Sequence, residues 1–164
     1  MSYSLFLSHS SADRDLAEWV AANLQGPGVS AWLCEYDVRP GVNLTVKIQQ
    51  QLSSSDAVVV LLTTRSQYSA FVQQEIGFAN AKDKLVIPVV EPGIDQASLA
   101  MLEGREYVLF DFNNPTDAME KLRGYIGRLH ASKTKQEEKD TSTRNAVLIG
   151  LGLALLLAFA AGNK

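Results

Sequence analysis

Polar side chains that could bind a ligand follow three apolar runs of the sequence. The first group is His9-Ser10-Ser11, the second lies in loop 34–43, and the third occupies residues 63–75. Where parallel strands alternate with helices, ligands bind beyond the carboxyl ends of the strands. If the three runs are strands of one sheet, these hydroxyl, imidazole, guanidinium and carboxylate groups could converge on a polar ligand.

Several other kinds of chemistry lack their sequence signals. The chain has no Gly-x-Gly-x-x-Gly or Walker loop, and Gly150-Leu151-Gly152 lies inside an apolar tail, so phosphate binding of those types is not expected. No cluster of cysteine and histidine has the spacing of a zinc site, and we predict no metal. A single cysteine, Cys34, excludes an internal disulfide and fits a reducing compartment.

The charge of the chain argues against nucleic acid as the main partner. The net charge is −3, and residues 1–144 hold 14 basic against 18 acidic side chains, a net charge of −4. Binding to phosphate backbones needs a basic surface, which this composition does not provide. We therefore predict no nucleic-acid partner.

Alternating apolar and amphipathic segments predict the elements that position these groups. Unbroken β-branched residues in the third strand indicate burial on both faces, as in a parallel sheet between two helical layers. The pattern predicts a doubly wound (flavodoxin-like) α/β fold with a five-stranded parallel sheet. The predicted strands are Ser4–Ser8, Val29–Leu33, Asp56–Thr63, Leu85–Val90 and Tyr107–Phe110, and the predicted helices include Leu44–Leu52, Phe71–Ala81 and Pro115–Leu129.

Three motifs in order give the chain a family resemblance. They are LFLSHSSAD at residues 5–13, DVRPG at residues 37–41, and Ser66-x-x-Ser69-x-Phe71-x-x-x-Glu75. Over residues 2–129 the sequence resembles a TIR (Toll/interleukin-1 receptor homology) domain of the small microbial kind. A response regulator, the main alternative, would need an acidic cluster after strand one and an aspartate after strand three.

The resemblance implies an enzymatic activity and a catalytic residue. Many TIR domains of this kind cleave NAD⁺ at the nicotinamide–ribose bond and release ADP-ribose or a cyclic ADP-ribose. Glu75 stands at the position of the family's catalytic glutamate; from its position alone, it would be an ordinary solvated residue at a helix start. NAD⁺ would be the substrate, with no further cofactor.

The remaining candidate residues are also carried over from the family. His9, Ser10 and Ser11 match the segment that contacts NAD⁺, although the serines could instead cap a helix. Arg39 and Gly41 lie in the substrate-contacting loop, where Arg39 could bind a phosphate or remain a solvated charge. Phe71 stands where relatives often have tryptophan, and would flank the nicotinamide or ribose.

The resemblance to TIR domains leaves the roles of some positions undecided. Trp32 could stack on a ring, but we favour a core position. Cys34 stands where many relatives have aspartate, and Asn43 stands where several have an aromatic residue. Either difference could alter product choice or leave activity weak without self-association. The resemblance implies self-association through the TIR domain, and the alternative to an enzyme is a catalytically silent adaptor that recruits other TIR proteins.

The C-terminal region differs in composition from the rest. Ala146–Gly162 contains no charged or strongly polar side chain, and as a helix would be about 25 Å long, at the low end of membrane-spanning lengths. We predict a TIR domain at 1–130, a charged flexible linker at 131–145 and a transmembrane helix at 146–162. Basic linker residues would keep the TIR domain cytoplasmic on a single-pass C-terminal anchor.

Two further expectations concern the tail. Small residues recur every fourth position from Ala146 to Gly162, which would let two such helices approach closely in lipid and self-associate. The alternative to a membrane anchor is a C-terminal helix buried in the protein, although such a helix would normally show one polar face.

Overall fold

Five parallel strands form a single sheet in the order β2-β1-β3-β4-β5. The computed structural model describes the backbone of residues 2–33, 44–100, 102 and 104–161, and side chains up to residue 143. The strands are β1 (Tyr3–Ser8), β2 (Val29–Leu33), β3 (Ala57–Leu62), β4 (Leu85–Val90) and β5 (Val108–Leu109). The predicted doubly wound parallel fold is confirmed, and the strand order reverses at β1 and β3.

The helices follow the strands as the sequence predicts, with two differences. They are α1 (Arg14–Leu24), α2 (Leu44–Ser54), α3 (Ala70–Ala81), α4 (Gln96–Ala100) and α5 (Pro115–Ala161). The five-residue α4 was not predicted. The last helix does not end at Leu129 as predicted, and the polar residues that follow include good helix formers such as lysine, glutamate and glutamine.

The chain forms two units, residues 1–127 and residues 128–164. The helical backbone over 131–145 differs from the flexible linker that its composition suggested. The division into a TIR domain at 1–130, a linker and a transmembrane helix at 146–162 stays a prediction.

Apolar side chains of β3 occupy the centre of the sheet. All six residues of β3 are buried, which confirms the prediction that the sheet is covered on both faces. On one face, Phe6, Val58 and Val60 pack with residues of α2 and α3 in a continuous core. This packing fixes both helices against the sheet and so positions the side chains that they present to each other.

The segment between β1 and α1 begins with a hydroxyl cap. Ser10 Oγ accepts a hydrogen bond of 3.1 Å from the backbone N–H of Ala12, at the start of a 3₁₀ turn over Ser11–Asp13. The capping predicted for Ser10 or Ser11 is therefore made by Ser10. The turn then passes directly into α1, whose buried stripe includes Ala17, Val20 and Leu24.

Among the residues whose side chains are described, no helix has the length and apolar character needed to cross a membrane. The side chains of the predicted span, Ala146–Gly162, lie outside the described residues. The tail anchor, its self-association and the location of the chain stay predictions.

Candidate functional site

A cavity of about 410 Å³ lies between α2 and α3. Both helices follow strands of a parallel sheet, so their first turns lie on the carboxyl-end side of the sheet, where ligands bind in this fold. The lining of the cavity is mostly apolar, with one carboxylate, two side-chain amides and one hydroxyl. The lining residues are Leu44, Thr45, Ile48, Gln49, Leu52, Phe71, Gln74, Glu75 and Phe78.

Helical periodicity explains which side chains line this cavity. On α3, Phe71, Gln74, Glu75 and Phe78 follow the i, i+3, i+4, i+7 spacing that places residues on one helix face. The adjacent face of α3, which includes Ile76, packs into the core instead. Core packing therefore sets the rotation of α3 that turns Glu75 toward the cavity.

Glu75 is buried, with 4% of its surface exposed, although it lines the cavity. Charged side chains are seldom buried this deeply in folded proteins. Phe71, one helical turn earlier, remains 53% exposed and forms part of the same wall. The structure therefore brings together Glu75 and Phe71, two of the residues singled out from the sequence.

His9 directly follows β1 and is almost completely buried. Its Nδ1 lies 3.4 Å from the carbonyl oxygen of Leu7. Burial lowers the pKa of His9. This effect outweighs those of the Leu7 carbonyl and of Asp13, which raise the pKa. The imidazole is therefore held toward its neutral form, which can both donate and accept a hydrogen bond.

The other candidate residues do not line the α2–α3 cavity as the structure describes it. Ser10 is buried and its hydroxyl is used as a cap, whereas Ser11 is exposed. These serines and His9 are not part of the described lining of the α2–α3 cavity. Arg39 and Gly41 lie outside the described residues, as do the family departures Cys34 and Asn43.

Trp32 packs against the core, as we favoured. It is partly buried against the apolar cluster between the sheet, α2 and α3. Its ring centroid lies 5.3 Å from that of Phe6 on the neighbouring strand. Trp32 therefore anchors β2 in the sheet.

Sequence analysis does not indicate the buried polar network that surrounds Asp13. Asp13, the last residue of the motif at residues 5–13, accepts hydrogen bonds from Thr63 Oγ1 at 3.0 and 2.9 Å. Arg65 Nη2 lies 3.2 Å from the same carboxylate. Ser66 Oγ accepts a bond of 3.0 Å from the backbone N–H of Thr63. This Asp13–Thr63 network joins the end of β1 to the β3–α3 loop, residues 63–69.

The opposite side of the β3–α3 loop is bound to the segment after β4. Glu91 Oε2 accepts from the backbone N–H and the hydroxyl of Thr64, at 2.7 and 2.9 Å. The Tyr68 hydroxyl donates to Asp95, and this bond raises the pKa of Tyr68 and lowers that of Asp95. Both contacts are exposed to solvent, unlike those of Asp13.

A second cavity, of about 240 Å³, lies at the amino-end side of the sheet. Its lining contains Val86, Ile87 and Pro88 of β4 and Val108 of β5, together with Glu106, Tyr107 and Tyr125. Within the described part of the chain, no three histidine, cysteine, aspartate or glutamate side chains are grouped so that they could hold a metal ion.

The fold is that of a flavodoxin-like α/β domain, with a carboxylate-lined cavity between two of the helices that follow its strands. A model of the TIR domain family matches residues 5–123, so the chain belongs to the TIR domain family.

Three individual proteins are similar to the chain. The 2′ cyclic ADP-D-ribose synthase AbTIR of Acinetobacter baumannii is 30% identical over 92 residues, 53% of this chain and 34% of that protein, so the chain spans about a third of its length. A prokaryotic SEFIR domain is 19% identical, with a TM-score of 0.57 over 76% of this chain and 92% of that one. The CMP N-glycosidase BcmB of Clostridium botulinum is 16% identical, with a TM-score of 0.55 over 74% and 98%. The last two show likeness of fold alone.

Proposed function

We propose that the chain is an NAD⁺-cleaving enzyme that breaks the nicotinamide–ribose bond, with Glu75 as its catalytic carboxylate. The products would be nicotinamide and ADP-ribose, a cyclic ADP-ribose, or both. The observation that carries the proposal is the buried carboxylate of Glu75 in the wall of the α2–α3 cavity. The similarity of this TIR domain to a cyclic ADP-ribose synthase supports the choice of substrate.

The reaction requires negative charge beside the ribose. Nicotinamide leaves as a neutral molecule with the electron pair of the broken bond, and the ribose carbon acquires oxocarbenium character. A fixed carboxylate in a site of low polarity stabilises this developing positive charge, and it can also orient or deprotonate a ribose hydroxyl. Capture of the ribose carbon by water gives ADP-ribose, and capture by a hydroxyl or ring nitrogen of the same molecule gives a cyclic product.

The walls of the cavity suit the uncharged part of this chemistry. Ligand sites of a few hundred Å³ are typically apolar with a few polar groups that fix orientation. Phe71 offers an aromatic face for the nicotinamide or ribose, and Gln49 and Gln74 offer amide groups for hydrogen bonds. Leu44 and Ile48 form part of the apolar opposite wall, which would limit the access of water to Glu75.

The remaining parts of the proposal extend beyond this cavity. His9, Ser10, Ser11, Arg39 and Gly41 would contact the rest of the dinucleotide, with Arg39 facing its diphosphate. Self-association of the TIR domain would complete the site. An anchor at 146–162, with the TIR domain on the cytoplasmic side, would favour self-association by raising the local concentration. Similarity to a synthase favours this enzyme over a silent adaptor.

The test is an incubation of the full chain with NAD⁺, in solution at high concentration and on liposomes, with products separated by chromatography. Wild type should release nicotinamide together with ADP-ribose or a cyclic isomer. Glu75→Gln removes the charge and retains the shape, and should lower the rate at least about 100-fold.

Glu106→Gln is the matched control, because it makes the same chemical change in the wall of the other cavity. It should leave the rate of nicotinamide release within about twofold of wild type. Equal rates in wild type and Glu75→Gln would refute the catalytic role of Glu75. The absence of nicotinamide release by assembled wild type would refute the enzymatic function and favour the adaptor.

A further inference from the structure

We propose that Asp13 is a positioning residue, which holds the β3–α3 loop through Thr63 and thereby fixes Glu75 in the cavity wall. The inference rests on the proposed function, because Asp13 is given a role through the catalytic carboxylate of Glu75. Asp13 itself is not among the residues that line the α2–α3 cavity. Asp13 lies on the segment between β1 and α1, 62 positions before Glu75 in the sequence.

The carboxylate of Asp13 is completely buried and faces the loop that leads to α3. Both of its oxygens lie within 3.0 Å of Thr63 Oγ1, which donates its only proton to them. The same Thr63 oxygen accepts from the backbone N–H groups of Arg65 and Ser66, each at 3.2 Å. One hydroxyl therefore connects a buried charge to two backbone N–H groups of the loop.

Ser66 completes the connection. Its hydroxyl oxygen lies 2.9 Å from Thr63 Oγ1, and since the proton of Thr63 is used by Asp13, Ser66 is the donor in this bond. Ser66 Oγ also accepts from the N–H of Thr63. Ser66 belongs to the motif that includes Glu75, and here its hydroxyl shapes the loop.

Hydrogen-bonded turns connect Thr63 to α3. The N–H of Gln67 donates to the carbonyl of Thr63 at 2.8 Å, and the N–H of Ser69 donates to that of Ser66 at 2.8 Å. The N–H of Gln73 then donates to the carbonyl of Ser69 at 3.1 Å, within the first turns of α3. A displacement of Thr63 is therefore transmitted to the helix that presents Phe71 and Glu75.

The contacts on the other side of the loop are expected to contribute less. Glu91 and Asp95 bind Thr64 and Tyr68 at the surface, where water competes for the same groups. Asp13 has no such competition, since its carboxylate is shielded and its geometry is fixed by the surrounding groups. Ser98 Oγ also donates to the carbonyl of Gln67 at 3.1 Å. Asp13 therefore supplies a buried charge that holds the start of the loop, where Thr63 leaves β3.

The test compares Thr63→Val, which keeps the shape but removes the hydroxyl, with Thr63→Ser, which restores the hydroxyl. Ser4→Ala is the matched control at the amino end of β1, where the Ser4 hydroxyl likewise bridges a carboxylate, that of Asp56, and the Asp56 backbone N–H. Ser66→Ala is a milder second variant, since it leaves the bond between Asp13 and Thr63 in place.

Two measurements are made on every full-length variant. Amide hydrogen exchange reports the order of residues 63–75 without reference to activity. Steady-state kinetics with NAD⁺ separate kcat from KM. Thr63→Val should raise the rate of amide exchange at Gln67, Ser69 and Gln73 at least about tenfold. It should also lower kcat about tenfold, with KM within about threefold of wild type. Ser66→Ala should shift both in the same direction by less, and Thr63→Ser should restore both.

Three outcomes would overturn the proposal. Exchange at residues 63–75 that is unchanged in Thr63→Val would show that Asp13 does not hold the loop. Faster exchange with unchanged kcat would show that the loop does not position Glu75. An equal fall in kcat in Ser4→Ala, at equal loss of thermal stability, would reduce the effect to general destabilisation. If wild type does not cleave NAD⁺, the proposed function fails, while hydrogen exchange still decides whether Asp13 holds the loop.

Discussion

The two ends of the sheet carry cavities with similar residue types but different construction. At the carboxyl-end side, Glu75 stands with Phe71 and Phe78 between two helices. At the amino-end side, Glu106 stands with two tyrosines beside β4 and β5. Glu75 is buried on a helix fixed by the core, whereas Glu106 is exposed in the segment before β5. A glutamate with aromatic neighbours therefore does not by itself define a site.

The difference lies in what holds the carboxylate. Glu75 is connected to the core through the packed face of α3, and to Asp13 through the β3–α3 loop. A preorganised charge of this kind can act on a reacting centre without first being ordered, whereas an exposed charge is screened by water and must be oriented. The carboxyl-end cavity is thus the better candidate for catalysis.

After the comparison of Glu75→Gln with Glu106→Gln, the next largest effect that separates the two cavities is expected from their aromatic walls. Phe71 and Tyr107 are similarly exposed, at 53% and 46%, so truncation of either should have little effect on stability. Phe71→Ala should lower kcat/KM for NAD⁺ about tenfold, about 1.4 kcal/mol, because the substrate ring loses its aromatic contact. Tyr107→Ala should leave kcat/KM unchanged. Steady-state assays with thermal unfolding as the control measure both, and equal effects would remove the distinction between the cavities.

A second, smaller effect, on the stability of the fold, is expected in alkaline solution from Tyr3 at the start of β1. Burial, with the nearby charges of Asp56 and Tyr125, raises the pKa of Tyr3 to about 12. The unfolded chain releases this proton near pH 10, so the unfolded state binds fewer protons between about pH 10 and 12 and stability falls as the pH rises through that range.

Tyr3→Phe has no proton to release and should show a shallower decline of the melting temperature between pH 10 and 12. Thermal unfolding of wild type and variant at matched ionic strength measures this difference. Parallel declines in the two proteins would contradict the assignment to Tyr3.

The smallest effect is expected at the carboxyl end in mild acid. Burial lowers the pKa of His9, so the unfolded chain binds a proton near pH 6.5 while the folded chain does not. Stability should therefore be complete above about pH 6.5 and should fall as the pH drops below it. His9→Gln should make the melting temperature less dependent on pH below about pH 6.5. An unchanged slope would assign this acid sensitivity to other groups.

The sequence predicted most of the fold because its signals are local. The β-branched run of β3 and the amphipathic segment Leu44–Leu52 are each visible within about ten residues, and both are confirmed. The extent of α5 was not predicted, because a polar segment is compatible with either a loop or a solvated helix. The short α4 has too few residues for a periodic pattern to be recognised.

The candidate site was predicted in part for the same reason. Phe71 and Glu75 are four residues apart, so helical geometry alone places them on one face. The opposite wall depends on how α2 packs against α3, and the support from Asp13 depends on a contact with Thr63 across 50 positions. Neither contact has a local sequence signal.

Pro88 lies where the pairing of β4 with the outer strand β5 begins. It lies within β4 at the register position opposite Val60, and the pairing of β4 with β5 begins only at the next residue, Val89 with Val108. Proline has no backbone N–H to donate to a neighbouring strand, which fits a ladder that starts beyond it. The outer strand is two residues long and presents little backbone to a strand from another chain. This edge is therefore protected against the edge-to-edge aggregation to which open sheets are prone, which helps the domain remain soluble at high local concentration.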